Sequence, residues 1–447
     1  TFSIGAAHSA ERPNVLLIVV DDLRPELACY GESDVHSPNV DRLAARGMRF
    51  DRAYCQYPIC NPSRTSFLTG LRPETTQVFG NDIYFRTKLP DAITLPQLFR
   101  SSGYKTVSLG KIFHAGKLHG ADSSGGSDAE HSWTVSKQFT ATKLGQQGEG
   151  RDLTYPGGNK GWCRWLAAEG TDEDQPDGQM AAEAVRQLEL AGDQPLFLAV
   201  GFLKPHDPFI APKKYFDLYP PASIRIPSVP ESKGTTAPLA IAKGLDFSKF
   251  TDQDRREFKR AYLAGVSFMD AQVGKLLTAL DDGDRWQNTM VVFFGDHGYH
   301  LGEHHWWNKG TIFEESARVP FIFWSPEARG MGQSTRGIVE LIDVYPTLCD
   351  LCGIKPPRGL EGESFRPLLV DPKLPGKPAA YTIAVRGQGI GRSVRTQRWR
   401  YTEWDGGKQG VELYDQQADP DDYANLAERP EYAATVAELK RLLARGG

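Results

Sequence analysis

The chain of 447 residues has no long hydrophobic run, few cysteines and no large excess of either charge. No stretch approaches the roughly 20 apolar residues that span a bilayer, so we expect no membrane span. The net charge of −4 gives no bulk attraction to nucleic acid, and we expect no nucleic-acid partner. The length exceeds that of one ordinary core of about 150 residues, which favours a large domain with an appendage.

The six cysteines do not form the paired framework of small secreted domains. They are Cys29, Cys55, Cys60, Cys163, Cys349 and Cys352. The pair Cys349 and Cys352 has CxxC spacing but lies in the apolar stretch ELIDVYPTLCDLCGI, with no second pair and no histidine pair nearby. A buried thiol pair is favoured there over a disulfide, and a metal site is favoured least.

The residues GAAHSA before ERPNVLL include the small side chains found at the end of a secretory signal region. On this basis we expect an exported protein, either periplasmic or secreted. A plain leader without that role fits the same residues equally well.

Helical and strand patterns alternate through the first part of the chain. The run NVLLIVVDD is typical of a strand buried on both faces, and SPNVDRLAARG predicts a helix from Ser37 or Asn39 to Gly47. Helix and strand follow in TLPQLFRSSGYKTVSLGK, in QMAAEAVRQLELAGDQPLFLAVGFLKPH and in SFMDAQVGKLLTALDDGDRWQNTMVVFFGDHG. This order predicts an α/β fold with a doubly wound, mostly parallel sheet.

Two regions and the C-terminal part depart from this alternation. Residues 115–176 and 228–250 show weak periodicity, and we expect long excursions over the sheet edge or plain surface loops there. After about residue 372 short alternating strands precede the helix PEYAATVAELKRLLARGG. We therefore expect a catalytic α/β domain over residues 1–372 and a small antiparallel sheet with one helix over 373–447.

Acids and histidines follow three of the buried strands. Asp21 and Asp22, then His206, then Asp296 and His297 come at or just beyond strand ends. In open α/β sheets this edge binds ligands. The carboxylates are hard ligands suited to Ca²⁺ or Mg²⁺. From the residues alone, His297 is a metal ligand, a proton carrier or a satisfied strand-end histidine, with a slight preference for the last.

Positively charged and histidine side chains come from segments near the same edge. They are Lys111 and His114 in SLGKIFHAG, Lys204 and His206 in FLKPHDPF, and Lys309 in WWNKGTIFE. Considered alone, each lysine is best interpreted as a solvated surface residue. A metal together with several lysines suggests transfer of a phosphoryl or sulfuryl group.

The stretch YCQYPICNPSRTSFLTG carries the most specific signal. Its Cys60-x-Pro62-Ser63-Arg64 core resembles the modification signature of the type I sulfatases, in which the cysteine becomes Cα-formylglycine. The resemblance extends over nearly the whole chain, through PNVLLIVVDDLRPELACYG, GKIFHAG, GFLKPHDPF and GDHGYHLGEHHWWNKG. Among these enzymes the flanking segments are most similar to the iduronate-2-sulfatase group.

The resemblance implies an alkaline-phosphatase/sulfatase-like fold and a role for each matching residue. A Ca²⁺ ion (or Mg²⁺) would be bound by Asp21, Asp22, Asp296, His297 and the modified residue 60. Arg64 would steady the formylglycine, and the sulfate would be surrounded by Lys111, His114, His206 and Lys309. Maturation would need a formylglycine-generating enzyme as a partner.

The implied reaction is hydrolysis of a sulfate monoester by the hydrated aldehyde of residue 60. His206 is placed to protonate the leaving alkoxide, and His114 is the expected base for release of sulfate. The expected substrate is a sulfated carbohydrate with a 2-O-sulfated uronic acid, with Asn81 and Trp306 as candidates for its pocket. The alternatives are a phosphonate or phosphate ester hydrolase, or a sulfated-glycan-binding protein whose Cys60 stays unmodified.

Overall fold

The computed structural model describes residues 12–114, 127–153, 163–230, 236–242, 245–328 and 332–446. The expected signal-like leader lies outside the described residues, as do parts of the two regions expected to be loops. No helix within the described ranges combines the length and the apolar character needed to cross a membrane.

The strands in chain order are β1 (Asn14–Val20), β2 (Met48–Tyr54), β3 (Lys105–Gly110), β4 (Val135–Lys137), β5 (Gly148–Asp152), β6 (Arg164–Ala168), β7 (Leu196–Phe202), β8 (Phe209–Pro212), β9 (Thr289–Gly295), β10 (Arg318–Trp324), β11 (Ser334–Thr335), β12 (Val339–Glu340), β13 (Ala380–Arg386), β14 (Gly389–Arg395), β15 (Trp399–Trp404) and β16 (Val411–Asp415). The α-helices are α1 (Pro38–Arg46), α2 (Cys60–Thr69), α3 (Pro73–Thr76), α4 (Leu95–Ser101), α5 (Ala129–Ser132), α6 (Pro176–Glu189), α7 (Lys213–Phe216), α8 (Asp252–Asp282), α9 (Glu314–Ala317), α10 (Val344–Leu351), α11 (Arg366–Val370) and α12 (Ala433–Leu443).

The main sheet has the strand order β11-β2-β10-β9-β1-β7-β3-β4, and β12 also pairs with β2. The central pairs β9–β1, β1–β7 and β7–β3 are parallel. Within the described residues, β10 is the strand that runs against its neighbours. The prediction of a mostly parallel sheet is confirmed.

Strand β1 is buried on both faces, which explains its unbroken apolar sequence. Leu16, Ile18 and Val20 belong to the core beneath α1, α6 and α8. Val15 and Val19 point the other way, into the core beneath α2, α4 and α10. Helices therefore cover both faces of the sheet, as expected for a doubly wound fold.

Helix boundaries follow local signals in two predicted cases and tertiary packing in a third. Helix α1 lies between Ser37 and Gly47 as predicted, and α4 begins at a capping box formed by Thr94 and Gln97. Helix α8, predicted from Ser267, instead begins at Asp252. Its first turns are rich in charged residues and show no clear apolar period, but Phe258 is fully buried against the core.

Residues 115–176, expected as loops, contain regular structure in their described part. Strands β5, β6 and β8 form a separate sheet of three strands, in which β5 is antiparallel and β8 parallel to β6. The buried side chains of Trp165 and Leu166 anchor this sheet. Of the two alternatives expected for this region, plain surface loops do not describe β5 and β6. These strands are short, and β8, the second partner of β6, lies outside the region.

The C-terminal part forms the predicted antiparallel sheet, in the order β13-β14-β15-β16, and α12 packs on it through Leu439 and Leu443. Its β13 also contacts the main domain, where Ile383 N donates to Gln56 O at 2.9 Å. The domain boundary at residue 372 stays a prediction.

The CxxC residues are buried at the end of α10. Cys349 and Cys352 are both free thiols. The favoured interpretation of a buried thiol pair agrees with this arrangement.

Candidate active site

The parallel strands β9, β1, β7 and β3 end side by side, and we call the region beyond their carboxyl ends the carboxyl edge. The backbone ladder continues into the first polar residues, since Asp21 N donates to Phe202 O (3.1 Å) and Asp296 N donates to Val20 O (3.0 Å). Lys111 follows β3 directly, and His206 follows β7 after a short turn. The edge therefore gathers side chains from four separate segments, as the sequence predicted.

Cys60 is the first residue of α2, and this helix is buried along its whole length. The Cys60 Sγ atom lies 3.3 Å from His297 Nε2 and 3.3 Å from Lys309 Nζ. Burial alone would raise the pKa of this thiol, but the charges of Lys111 and Lys309 hold it well below the ordinary value. The positive charges of two lysines therefore act on residue 60.

Arg64 lies one helical turn after Cys60 and is fully buried. Its Nε donates to Asp296 Oδ2 at 2.9 Å and its Nη2 to Asp21 Oδ1 at 3.1 Å. It also donates to the backbone carbonyl of Lys111. Arg64 thus joins α2 to the ends of three strands and fixes the orientation of two carboxylates.

Four ligand-type side chains converge beside the helix start. One ligand atom from each of Asp21, Asp22, Cys60 and His297 lies within 4.8 Å of all the others. Asp22 has a left-handed backbone conformation (φ 61°), which lets two consecutive carboxylates face the same place. Its Oδ2 atom is buried and has no hydrogen-bond partner. An unpaired carboxylate oxygen in an acidic cluster fits a divalent cation.

Asp296 lies at the edge of this cluster rather than inside it. Its Oδ1 accepts from the backbone N–H of Asp22 (3.1 Å) and of His297 (2.9 Å), while its Oδ2 accepts from Arg64. Burial raises the pKa of Asp296 to about 6. Because both oxygens already have donors, the assignment of Asp296 as a metal ligand stays a prediction.

His297 is fully buried and its two ring nitrogens have different surroundings. Its Nδ1 lies 3.0 Å from Gly298 O, and its Nε2 faces Cys60 and Asp22 Oδ1, the latter at 3.4 Å. Burial acts to lower the pKa of His297, but Asp296 and residue 60 outweigh it and raise the pKa to about 9. This orientation suits a ligand better than an isolated strand-end histidine.

The two predicted lysines of the site each contact one carboxylate. Lys111 Nζ lies 2.5 Å from Asp21 Oδ2, and Lys309 Nζ lies 2.6 Å from Asp22 Oδ1. Their side chains are 11% and 14% exposed, respectively. Their positive charges can therefore act on an anion in the pocket with little screening by solvent.

The two predicted histidines are both partly buried. His206 Nε2 is 3.8 Å from Asp22 Oδ2 and 3.9 Å from Asp21 Oδ2, and the side chain is 25% exposed. Burial acts to lower the pKa of His206, but Asp22 outweighs it and raises the pKa to about 9. Burial lowers the pKa of His114, whose Nδ1 atom is buried without a partner.

Lys204 does not join the other lysines. Its Nζ donates to the carbonyls of His206 and Pro208, both at 2.7 Å, so it shapes the loop that carries His206. Sequence reasoning missed Asp177, whose buried carboxylate accepts from Leu203 N (3.0 Å) and Lys204 N (2.9 Å). An acidic residue in the first turn of α6 can be recognised in the sequence. The sequence does not indicate, however, that Asp177 binds the backbone of the loop that carries His206.

The two candidate sugar contacts occupy different environments. Asn81 is exposed, and its Oδ1 accepts from the backbone N–H of Asn61 at 3.0 Å, next to Cys60. Trp306 is 4% exposed, and its indole N–H donates to Lys309 O at 3.0 Å. Trp306 also lines a cavity of about 580 Å³ with Phe247. Their roles in sugar binding stay predictions.

Comparison with known proteins agrees with this geometry. A family model described as Sulfatase matches residues 13–354, and one described as N-sulphoglucosamine sulphohydrolase, C-terminal, matches residues 302–446. Iduronate 2-sulfatase of Homo sapiens is 34% identical and the alignment covers 88% of this chain and 85% of that protein. Delta 4,5-hexuronate-2-O-sulfatase of Bacteroides thetaiotaomicron is 29% identical over 98% of this chain and 89% of that protein.

The fold is also found among solved structures. A phosphonate monoester hydrolase of Agrobacterium radiobacter aligns with a TM-score of 0.80 at 24% identity, covering 97% of this chain and 95% of that one. At this identity the likeness concerns the fold.

Proposed function

The chain belongs to the sulfatase family, and from that premise we propose that it hydrolyses the sulfate ester of a 2-O-sulfated uronic acid in a sulfated polysaccharide or oligosaccharide. The observation that carries the proposal is the position of Cys60, at a helix start beside an acidic cluster and Lys309. The choice of sugar is supported by the names of the two relatives. The polysaccharide substrate favours export of the enzyme.

Residue 60 acts as formylglycine in this proposal. When formed, this group supplies the hydroxyl of a hydrated aldehyde as the nucleophile. Its neighbours Lys309 and His297, each 3.3 Å from Sγ, are placed to steady an oxygen at that position. Conversion requires a formylglycine-generating enzyme.

The acidic cluster holds the cation in this proposal. Asp21, Asp22, His297 and residue 60 would bind Ca²⁺, with Mg²⁺ as the alternative, and Asp296 would lie beside them. A bound divalent cation would offset the negative charge of the sulfate oxygens.

The remaining side chains bind the sulfate and move protons. Lys111 and Lys309 face the pocket and would stabilise charge on the non-bridging oxygens. His206, which is partly exposed, can reach the bridging oxygen of a bound ester and protonate it as the alcohol leaves. His114 contacts residue 60 and is the base that would take a proton from it.

The proposal is tested by the chemistry of residue 60 and by a panel of esters. Formylglycine should lower the mass of the peptide that contains residue 60 by about 18 Da relative to cysteine. The purified enzyme should hydrolyse the 2-O-sulfate of a uronic acid faster than matched phosphate or phosphonate esters. Cys60→Ala should abolish this turnover, whereas Cys29→Ala, at a half-buried cysteine that is not part of the acidic cluster, should keep it.

Three results would contradict the proposal. Faster hydrolysis of the phosphonate ester would assign the alternative reaction. Binding of sulfated glycan without turnover, with residue 60 still cysteine, would indicate a binding protein. Wild-type turnover by Cys60→Ala would show that residue 60 is not the nucleophile.

A further inference from the structure

Three cations of the site each have a carboxylate of the protein as a partner. Arg64 pairs with Asp21 and Asp296, Lys111 with Asp21, and Lys309 with Asp22. The proposed substrate, however, carries a carboxylate in addition to its sulfate. A second anion close to these carboxylates and shielded from solvent needs a cation of its own.

Arg386 lies beside the residues that flank the nucleophile and Lys309. It is the last residue of β13, and its guanidinium donates to Gly310 O, the carbonyl next to Lys309. A Cβ placed on Gly310 would lie 3.7 Å from Arg386 Nη2 and 4.0 Å from Cγ1 of Ile59, which precedes Cys60. The guanidinium is therefore at the wall of the pocket that contains residue 60.

The guanidinium of Arg386 has no carboxylate partner among the residues that the structure describes. Its Nε atom is buried and makes no hydrogen bond, and its Nη1 donates only to Val385 O at 3.2 Å. Burial lowers the pKa of Arg386. By contrast, Arg395 and Arg400 of the same sheet both pair with Glu314.

The backbone that carries Arg386 is held firmly against the segment before Cys60. Thr382 Oγ1 donates to Cys55 O at 2.7 Å, and Val385 N donates to Tyr57 Oη at 2.9 Å. Arg386 is thus placed by a paired strand, and its two-residue turn at Gly387 and Gln388 faces solvent. A half-buried, unpaired guanidinium in a fixed position is suited to bind a planar carboxylate through two hydrogen bonds.

We propose that Arg386 binds the carboxylate of the uronic acid whose sulfate ester lies at residue 60. The inference rests on the proposed function and names the group that selects its substrate. Lys204 is another partly buried cation near the edge, but two of its three ammonium hydrogens are already donated to carbonyls. Arg386 also donates to two carbonyls, yet a guanidinium has five N–H groups and its Nε makes no hydrogen bond. Arg386 is therefore a specificity residue, and Lys111 and Lys309 remain the residues that bind the sulfate.

The test compares two substrates that differ only in this charge. We would measure kcat/KM on the methyl glycoside of a 2-O-sulfated hexuronate and on its carboxyl methyl ester, with 4-nitrophenyl sulfate as a substrate without a carboxylate. Arg386→Gln should lower kcat/KM on the free acid by about 10- to 100-fold and leave the other two substrates within a few fold. Arg386→Lys, which keeps the charge but not the planar fork, should fall between.

The matched control is Arg392→Gln, a partly exposed arginine on β14 that pairs with Glu74. It should behave as the wild type on all three substrates. An equal loss on all three substrates by Arg386→Gln would overturn the inference, because it would mean that Arg386 acts only by holding Gly310 next to Lys309. Unchanged kcat/KM on the free acid would overturn it as well.

Failure of the proposed function gives a different result. If the wild type hydrolyses no sulfate ester, calorimetric binding of the free acid and of its methyl ester still decides the role of Arg386. Preference of the wild type for the free acid, lost in Arg386→Gln, supports the inference. Equal affinities of the wild type for the acid and the ester contradict it.

Discussion

His206 and Lys204 show how two neighbouring residues acquire different roles at the carboxyl edge. Lys204 turns back onto carbonyls of its own loop. His206 points across the edge, toward Asp21 and Asp22, and stays partly exposed. The residue that faces both the pocket and the solvent is the one that can deliver a proton to a departing alcohol.

Replacing His206 should separate substrates by their leaving groups. For His206→Ala we expect kcat on a sulfated sugar to fall by about 10²- to 10⁴-fold, because a sugar alkoxide is a poor leaving group that needs a general acid. The loss on 4-nitrophenyl sulfate should be much smaller, since nitrophenolate leaves without protonation. Steady-state kinetics on both substrates measure the difference.

His36→Ala is the matched control, since this histidine is exposed and contacts Tyr219 instead of the carboxyl edge. Its kinetics should match the wild type. Equal losses on the two substrates in His206→Ala would argue against a general acid at this position.

At the scale of elements, the segment from Gly310 to Phe313 is held by the C-terminal sheet. Ile312 and Phe313 pack in one cluster with Ala384, Trp404 and Tyr414. This segment directly follows Lys309. The C-terminal sheet therefore contributes to the geometry of the site although its strands lie beyond the main sheet.

Trp404→Ala should destabilise the protein strongly. Trp404 is fully buried, and its indole N–H donates to Glu412 Oε2 at 3.0 Å, so truncation leaves a cavity and removes the donor to that oxygen. We expect a loss of about 3–5 kcal/mol in the free energy of unfolding, measured by urea titration with circular dichroism. Trp399→Ala, on a half-buried tryptophan that stacks on Arg398, should cost clearly less. Equal losses for the two variants would mean that the cluster at Trp404 does not anchor the sheet.

At the scale of the whole molecule, the acidic cluster joins strand ends to the start of α2. Asp21 and Asp22 follow β1, His297 follows β9, and residue 60 begins α2. A cation bound by all four would link elements that are far apart in the chain. Its binding energy would then contribute to the stability of the folded protein.

Adding Ca²⁺ to metal-free protein should therefore raise its Tm. At a free Ca²⁺ concentration of 100 times the Kd, the stabilisation should be about 2.7 kcal/mol. Asp22→Asn should remove most of this shift, because it removes the negative charge of the carboxylate whose Oδ2 atom has no hydrogen-bond partner. Differential scanning calorimetry with and without Ca²⁺ measures the effect.

Asp282→Asn, an exposed acid at the end of α8, is the control and should keep the full shift in Tm. An unchanged Tm in the wild type on addition of either Ca²⁺ or Mg²⁺ would contradict the cation site. A shift of the same size in Asp22→Asn would place the cation elsewhere.

The sequence alone was sufficient to predict those parts of the structure that depend on local residue patterns. The apolar run of β1, the capping residues of α4 and the alternation of helices and strands come from short-range preferences, so the doubly wound sheet was predictable. Because parallel strands share one edge, the meeting of Asp21, Asp22, His206 and His297 followed from the same pattern. The role suggested for residue 60 came from the signature CNPSR, which needs no tertiary information.

The side-chain environments of the site depend on contacts between residues that are distant in the chain, and only the tertiary structure shows these contacts. Asp296 lies beside the acidic cluster because its oxygens already accept from Arg64 and two backbone N–H groups. Trp306 is buried and its indole N–H donates to Lys309 O, while its role in sugar binding stays a prediction. Arg386 gives no local signal in β13, and only the pairing of that strand with the segment before Cys60 brings it to the pocket. Side-chain partners and burial depend on contacts between elements, and no short-range pattern records them.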